Sequence, residues 1–450
     1  MLFLPLLLIA IVLYIGGQRT YSLLIFFFFV FSGFQIIPEE MFDTGLGFSK
    51  SQDFALMYIF ALFAWGCFSY HDFIPLNKMT YLIAVYLAAV LIIIGVNKFS
   101  YGLGWTDIIK TSRSYFFVLA YYPLRRVSKQ EVDRLFRILL VILLFQCLLF
   151  AMQVFTGKAI LTGAEDKTES RFLYRFYNSP RMIYFFLFYV ILVQPVGKKY
   201  SRIAAVILLV TIFLPMHRGL SIIVIMTLIL GYLLNVGNLM RFIRYLPYFL
   251  LFAIPLGIIL LAQLGSRTMA DLQMLRNGNY AEMESADDIE DFEMDEESTF
   301  TFRVGHFMER YLYAQTNTLN KYFGLGLMPE DSPYTEHNFN FIMGLDNEEK
   351  GGIVQLETAD ISWSNFVVRY GYVGTVAYLI FYLGLTWIFF KNRKNKLALS
   401  LFLYMLLILG TSITSDLLYQ VYRNVFILML FDLAVIRKPE EKGEERRAIA

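Results

Sequence analysis

Apolar runs long enough to cross a lipid bilayer recur along almost the whole length of this 450-residue chain. Crossing the hydrocarbon core takes about 20 helical residues, and a helix satisfies all of its own backbone hydrogen bonds in lipid. The composition agrees, because 57% of the residues are hydrophobic and only 17% are charged, which is too apolar for a soluble protein of this length. The sequence therefore predicts an all-α, polytopic transmembrane helical bundle.

The apolar runs predict about twelve or thirteen spans. In chain order they lie near 2–17, 20–37, 53–69, 79–97, 109–124, 135–156, 182–196, 203–217, 219–236, 245–264, 365–390, 397–413 and 417–436. The first run lacks a positive n-region and a clear small-residue cleavage site, so we interpret it as a retained helix and not as a signal peptide.

Basic residues in the connections predict the orientation, because Lys and Arg concentrate in cytoplasmic loops. Five basic connections fall on one side of the predicted bundle: 125–137, 198–202, 241–244, 391–396 and 437–447. The outward loops are then 157–181, 217–219, 265–363 and 413–416. We expect a multi-pass protein of a bacterial inner (plasma) membrane, with its C-terminus in the cytoplasm.

This alternation predicts four parts of the chain. They are an N-terminal transmembrane bundle (1–264), one large extracytoplasmic loop between late spans (265–363), C-terminal transmembrane helices (364–436) and a cytoplasmic tail (437–450). Within the loop, residues 282–297 read EMESADDIEDFEMDEE. We interpret this run of like charges as a solvated, mobile insert. The alternative, a Ca²⁺ site, lacks the glycine-turn spacing of an EF-hand.

The loop continues into a segment with helical periodicity. Phe302, His306, Phe307, Arg310 and Tyr311 have the spacing of one helix face. This spacing predicts an amphipathic helix near 300–320 that lies on the membrane surface with its aromatic face toward lipid.

Charged and histidine side chains at the outer ends of spans are costly in lipid and are therefore functional candidates. Several also have a simpler interpretation. Arg218 resembles an arginine that reaches to lipid headgroups, and Arg303 and Arg310 are placed to contact lipid phosphates. His337 has the setting of a surface histidine, and Asp360 that of a helix N-cap.

Taken together, these residues indicate a transferase. Several arginines at the outer leaflet can bind a lipid diphosphate through charge-assisted hydrogen bonds, while a nearby carboxylate or imidazole accepts the proton of a hydroxyl. The candidates are Arg181, His217, Arg218, Arg303, Arg310, His337, Asp360 and Arg423.

Other chemistries have no support in the sequence. There is no metal-ligand spacing, no G-x-S-x-G and no P-loop, so we expect neither a metal nor another cofactor. Cys67 and Cys147 both lie in apolar runs, where we expect them to pack as small hydrophobic residues. The net charge is +2, so no overall charge attracts nucleic acid.

Four stretches between about 170 and 375 resemble the O-antigen ligase and O-antigen polymerase superfamily of membrane glycosyltransferases. RFYNSPRMIYFF is similar to the family's G-x-F-x-N-P lead into a span, and LPMHRGLSIIV to its S-R-G segment, which places Arg218 on the family's arginine. RVGHFMERYLYAQTNTLNKYFGLGL resembles a loop motif with Arg303, Phe307, Gly324 and Gly326.

The fourth stretch, DISWSNFVVRYGYVG, resembles the family's H-N followed by E-x-G-x-x-G, with Gly371 and Gly374 at the two glycines. Many members have histidine as the candidate base at the position of Asp360. His337 lies upstream of the matching position. The resemblance therefore leaves two candidates for the base, Asp360 and His337. The arginines match the family's motifs better than the base does.

The resemblance implies a GT-C-like bundle and metal-independent, inverting transfer of a glycan from an undecaprenyl-diphosphate carrier to an acceptor hydroxyl. Arg218 and Arg303 would bind the diphosphate, and Asp360 or His337 would activate the acceptor. Secondary contacts to glycan or phosphate would come from Arg181, His217, Arg310 and Arg423. The implied partners are the undecaprenyl-diphosphate-linked oligosaccharide, an acceptor glycan or lipid A core, membrane lipids and a possible chain-length regulator.

Three alternatives to a polymerase remain. A ligase would transfer the glycan to lipid A core; we prefer the polymerase because polymerases of diverse glycans are more numerous. A flippase or transporter should have two halves of related hydropathy with spans broken near mid-membrane, and neither feature is visible in the sequence. A non-catalytic membrane scaffold would leave Arg218 and Arg303 replaceable.

Overall fold

The computed structural model describes residues 3–44, 50–163, 167–169, 173–215, 217–236, 299–344 and 352–435. Most of these residues are helical, as the apolar runs predict. The predicted span 245–264, the acidic insert 282–297 and the tail 437–450 lie outside the described residues. Arg218 begins a helix, but its side chain also lies outside what the structure describes.

The α-helices, in chain order, are α1 Leu4–Ile15, α2 Arg19–Val30, α3 Ser51–Ser69, α4 Lys78–Phe99, α5 Trp105–Ser112, α6 Tyr121–Leu124, α7 Lys129–Thr156, α8 Ile183–Leu192, α9 Lys198–Phe213, α10 Arg218–Val236, α11 Thr299–Gln315, α12 Thr318–Phe323, α13 Pro333–Asn338, α14 Ser362–Lys391, α15 Lys396–Thr411 and α16 Val425–Val435. Short 3₁₀ helices are Gly33–Gln35, Glu39–Phe42, Arg113–Ala120 and Val421–Asn424. Strands β1 Lys167–Glu169 and β2 Tyr174–Phe176 pair in antiparallel register.

Four of these helices, α3, α4, α7 and α14, are long and apolar enough to cross a membrane. Shorter apolar helices of 10–17 residues lie within α1, α2, α8, α10 and α15. Three predicted spans are not continuous α-helices. The span 20–37 is α-helical only to Val30 and contains the 3₁₀ helix Gly33–Gln35, 109–124 is interrupted by the 3₁₀ helix Arg113–Ala120, and 417–436 becomes α-helical only at Val425. Among the described residues, four helices thus have the length and composition of a membrane span, which is fewer than the twelve or thirteen spans predicted from the apolar runs.

Local sequence explains where several helices begin. Ser128 caps α7, because its hydroxyl accepts from the Glu131 amide at 3.3 Å while the Glu131 carboxylate accepts from the Ser128 amide at 2.8 Å. This is a capping box, which satisfies two otherwise unpaired N–H groups. Asn77 caps α4 through a single bond, its side chain accepting from the Thr80 amide at 2.9 Å.

Helix α14 is the central element of the bundle, packed against α4, α11, α12 and α15. Its contact with α4 is close because Gly374 has no Cβ; an added Cβ would lie 2.5 Å from Ile93 Cδ1. The same interface contains a buried hydrogen bond of 2.7 Å between the Tyr86 and Tyr370 hydroxyls. The α-helical conformation breaks once inside α14, at Gly371.

Polar contacts join the helix connections at two ends of the bundle. At one end, Arg126 forms an ion pair with Asp72, its guanidinium lies 3.9 Å from the Tyr70 ring centroid, and Arg125 pairs with Asp432 at 2.9 Å. This end contains the basic connection 125–137, which the sequence assigns to the cytoplasm.

At the other end, loops that are distant in sequence meet. Gln35 Nε2 donates to Asn178 Oδ1 at 2.9 Å, the Ser362 amide donates to the Ser412 carbonyl at 2.9 Å, and the Asp416 amide donates to the Ala359 carbonyl at 3.0 Å. The outward loop predicted at 413–416 therefore meets the segment that precedes α14, and the loop predicted at 157–181 meets the connection after α2.

Helix α11 occupies the segment for which the sequence predicts an amphipathic helix. Its buried residues include Gly305, His306, Glu309, Arg310 and Ala314, and they pack toward protein, with α14 as the main neighbour. His306, Glu309 and Arg310 are thus inside the protein, where Arg310 pairs with Glu309 and His306 Nδ1 hydrogen-bonds to the Ser364 hydroxyl.

Candidate functional site

A cavity of about 390 Å³ lies at the end of the bundle where the distant loops meet. Its walls come from the segment after β2, the α9–α10 connection, the residues before α14 and the stretch from the end of α15 to Arg423. Four of the side chains that the sequence singled out line it: Arg181, His217, Asp360 and Arg423. The fold therefore brings together candidates that are up to 242 positions apart in the chain (423 − 181).

Arg181 is held by the connection that follows α2. Its backbone amide donates to Gln35 Oε1 at 2.9 Å, Nη1 donates to the Ser32 hydroxyl, and Nη2 lies 3.4 Å from Glu39 Oε1. The side chain is 17% exposed. The guanidinium is thus fixed at the cavity wall while part of it remains open to a ligand.

Arg423 enters the cavity from the 3₁₀ helix Val421–Asn424. Its Nε donates to Gln420 Oε1, and the Tyr422 hydroxyl donates to the same oxygen at 2.6 Å. Gln420 therefore orients two side chains of the cavity wall through a single amide oxygen.

Arg303 of α11 reaches the cavity through Asp360. Arg303 Nη2 lies 3.4 Å from Asp360 Oδ1, and the two side chains are 15% and 45% exposed. Arg303 Nε is buried and has no hydrogen-bond partner among the described residues. The interpretation of Asp360 as a helix N-cap is wrong, because Ile361 is the N-cap of α14 and no side chain caps that helix.

His217 lies between α9 and α10 and accepts from the Leu220 amide at Nδ1, at 3.2 Å. Burial, then the positive charges of Arg303 and Arg175, lower the pKa of His217 to about 4. The imidazole is therefore neutral near pH 7, so it offers hydrogen bonds to a ligand but no positive charge.

Arg175, which the sequence analysis did not single out, belongs to the same group of charges. Its Nε donates to the Pro215 carbonyl at 3.0 Å, and its guanidinium lies 4.7 Å from the Tyr177 ring centroid. Pro215 and Tyr177 both line the cavity. The position of Arg175 in the motif RFYNSPR, two residues before Tyr177, was the available signal.

Asp416 is a second cavity carboxylate that sequence reasoning missed. Gln420 Nε2 donates to Asp416 Oδ2 at 2.5 Å, and the Asp416 backbone is tied to Ala359, next to Asp360. Burial raises the pKa of the Asp416 carboxyl above its ordinary value, although Gln420 and Arg423 oppose the shift. The available signal was its place as the acidic residue in the predicted outward loop 413–416.

Two predicted site residues lie away from this cavity. Arg310 is completely buried and pairs with Glu309 at 2.6 Å, donates to the Gln355 carbonyl at 2.6 Å and lies 4.1 Å from the Phe341 ring centroid. His337 is exposed on α13 and is not among the residues that line the cavity.

The electrostatic character of the cavity follows from these positions. Two arginines, Arg181 and Arg423, line it together with the carboxylates Asp360 and Asp416. Two more arginines adjoin it: Arg303 pairs with Asp360, and Arg175 donates to the Pro215 carbonyl. Such an arrangement binds a phosphate-containing anion through charge-assisted hydrogen bonds. Among the described residues, no group of three or more His, Cys, Asp or Glu side chains is placed to hold a metal ion.

The comparisons with known proteins add no identification: no protein-family model matches this chain, and no curated protein matches it significantly.

Proposed function

We propose that this chain is a membrane glycosyltransferase that polymerises an undecaprenyl-diphosphate-linked surface glycan at the outer face of a bacterial inner membrane. The observation that carries the proposal is the cavity lined by Arg181, Arg423, Asp360 and Asp416, with Arg303 paired to Asp360. A diphosphate leaving group needs positive charge, and an acceptor hydroxyl needs a base. One cavity offers both.

In this reaction the arginines bind the diphosphate of the donor. The acceptor oxygen attacks the anomeric carbon, its proton passes to a carboxylate, and the bond between that carbon and the diphosphate oxygen breaks. The electron pair of the broken bond leaves with undecaprenyl diphosphate. Arg181, Arg303 and Arg423 stabilise the negative charge that develops on the leaving diphosphate, which is where preorganised cations lower the barrier most.

Asp416 suits the role of base better than Asp360 or His337. A base works best when its pKa is closer to the working pH, and burial raises the pKa of the Asp416 carboxyl. Asp360 is held 3.4 Å from the Arg303 guanidinium. We therefore assign Asp416 to proton transfer and Asp360 to orienting Arg303, which revises the assignment that the sequence favours.

The membrane setting is part of the same proposal. A polytopic bundle with the basic connection 125–137 in the cytoplasm would place the cavity at the outer leaflet, where the carrier's diphosphate headgroup lies. The acceptor distinguishes the two related activities: a growing glycan makes the protein a polymerase, and lipid A core makes it a ligase. A chain-length regulator would act on the polymerase only.

Reconstitution of the full chain in phospholipid nanodiscs tests the proposal. Undecaprenyl-diphosphate-linked oligosaccharide from the source cells serves as donor and acceptor, and product length is read on a gel. We expect longer glycans together with released undecaprenyl diphosphate, and their loss in Arg423→Ala. Lys394→Ala, an exposed position outside the cavity, is the matched control. Transport of intact donor across a proteoliposome bilayer without glycan growth would instead support a flippase.

A further inference from the structure

A second cavity, of about 420 Å³, lies beside the first. Its walls come from the start of α3, the α5–Ala120 segment, the loop before α13, α14 and the loop that ends at Tyr422. Gln420 and Tyr422 line both cavities. The two cavities are therefore neighbours that share one wall, formed by the loop from Asp416 to Arg423.

The α14 side of the second cavity is a fixed hydrogen-bonding surface. Glu357 Oε1 accepts from the Tyr419 hydroxyl at 3.0 Å and from Arg369 Nε. Arg369 is 3% exposed, Glu357 is 32% exposed, and Arg369 Nη1 donates to the Gly326 carbonyl at 2.8 Å. The buried guanidinium thus holds a partly exposed carboxylate toward the cavity.

Other charged side chains of the cavity wall also have partners. Asp53 and Arg113 form an ion pair of 3.0 Å, and Glu330 Oε1 accepts from the Leu356 and Glu357 amides at 3.0 and 2.9 Å. Paired acids and bases beside an aromatic ring, here Tyr422, offer both donors and acceptors without a dominant charge. This chemistry suits the hydroxyl groups of an uncharged sugar better than a phosphate.

We infer that the second cavity binds the acceptor glycan, through an uncharged and hydroxyl-rich sugar unit, and that its attacking hydroxyl meets the donor past Gln420. The inference rests on the proposed function. Gln420 lies at the crossing point, because its Nε2 donates to Asp416 Oδ2 and its Oε1 accepts from Tyr422. A sugar hydroxyl that passes this side chain is directed at Asp416 and at the anomeric carbon of a donor in the first cavity.

Cysteine protection tests the inference on the full chain in nanodiscs. The background is Cys67→Ser, because Cys67 is exposed and Cys147 is buried. Gln52→Cys and Asp331→Cys report from two segments of the second cavity, and Ser179→Cys reports from the first. Gln130→Cys, exposed near the start of α7 and outside both cavities, is the control. The probes are undecaprenyl diphosphate and the oligosaccharides that mild acid releases from the source cell's surface glycan.

We expect the oligosaccharides to slow maleimide labelling at 52 and 331, and not at 130. The effect should be about tenfold at about nine times the dissociation constant, since labelling follows the unoccupied fraction. Protection at neither position, or protection at 179 alone, would overturn the acceptor site. Undecaprenyl diphosphate should protect the cysteine at 179. Unchanged labelling at 179 in its presence would contradict the proposed function. The labelling at 52 and 331 would still show whether the second cavity binds sugar.

Discussion

Gly324 and Gly371 contact each other backbone to backbone. A Cβ on Gly371 would lie 2.4 Å from the Gly324 nitrogen, and a Cβ on Gly324 would lie 2.5 Å from the Val368 carbonyl oxygen. Both glycines have positive φ, 85° and 54° respectively. This contact brings the chain after α12 against the break in α14, which allows Arg369 to reach the Gly326 carbonyl. Gly324 and Gly371, which belong to two different sequence motifs, thus form the backbone contact that holds Arg369 at the wall of the second cavity.

Replacement of Gly371 by alanine should destabilise the protein by about 2–5 kcal/mol. Positive φ costs a residue with a Cβ about 1–2 kcal/mol, and overpacking against fixed backbone costs about 1–3 kcal/mol. Thermal unfolding in detergent measures the change. Gly95→Ala is the control, because it lies within α4 with nothing within 4 Å of an added Cβ. Equal melting temperatures for both variants would contradict the close contact.

Asp416→Asn should reduce glycan transfer by about 10²–10⁴-fold, the usual range for loss of a general base. Because the pKa of the Asp416 carboxyl is raised, the base is protonated, and inactive, at a higher pH than an ordinary aspartate. The acidic limb of the pH–rate profile should therefore lie above about pH 4, and any residual activity of Asp416→Asn should lack that limb.

Asp360→Asn and His337→Gln are the matched variants for the assignment of the base. Asp360→Asn removes the charge that faces Arg303, so we expect weaker donor binding with the acidic limb retained. His337 is exposed and lines neither cavity, so His337→Gln should transfer glycan normally. An inactive His337→Gln enzyme beside a normal Asp416→Asn enzyme would return the base to His337.

Arg310→Ala should unfold the protein or destabilise it by about 3–5 kcal/mol, because it leaves Glu309 as a buried carboxylate without its cation. Burial lowers the pKa of Arg310 only to about 10, so the guanidinium is charged in the folded protein near pH 7. The melting temperature in detergent reports the loss, with exposed Lys394→Ala as the neutral control. A normally stable Arg310→Ala protein with weakened donor binding would restore the ligand role that the sequence suggests.

His217 should remain uncharged between pH 5 and 8, because its pKa is lowered to about 4 by burial and by the arginines Arg303 and Arg175. In the unfolded chain the imidazole titrates near its ordinary pKa of about 6.5. The unfolded state then binds more protons between these values, so the contribution of His217 to stability falls as the pH drops through this window. Comparison of unfolding at pH 4.5 and 7.5 with that of His217→Gln isolates this contribution; identical pH dependence in both proteins would rule it out.

The predicted orientation places the loop 265–363 outside the cell and the connection 391–396 in the cytoplasm. His337→Cys should therefore react with a membrane-impermeant maleimide in intact spheroplasts, whereas Lys394→Cys should react only after permeabilisation. Both positions are exposed, and both variants carry Cys67→Ser. The expectation rests on the basic connections at 125–137 and 391–396, which favour the cytoplasm. The opposite labelling pattern would place the cavity inside the cell and exclude an extracytoplasmic glycan substrate.

The length of the apolar runs predicted the helical character well, since a helix satisfies all of its own backbone hydrogen bonds in lipid. It was less accurate for the stretches 109–124 and 417–436, where 3₁₀ turns interrupt the helix. Hydropathy reports whether a residue prefers lipid. It does not report how neighbouring helices pack, and packing against α3 and α4 surrounds the 3₁₀ segment Arg113–Ala120.

For the site, too, the sequence predicted one part and the tertiary structure decided the other. The cost of a charge at the end of an apolar run was enough to single out Arg181, His217, Asp360 and Arg423 by residue type and position. Arg310, which the sequence places on an amphipathic helix of the large loop, was also a candidate, and only the tertiary structure shows that it is enclosed by Glu309 and the Gln355 carbonyl. Burial in the fold raises the pKa of the Asp416 carboxyl. The sequence alone determines which residues prefer lipid and which prefer water or a polar partner. Whether a charged side chain binds a ligand or stabilises the fold depends on its contacts with residues distant in the chain, and only the tertiary structure decides those contacts.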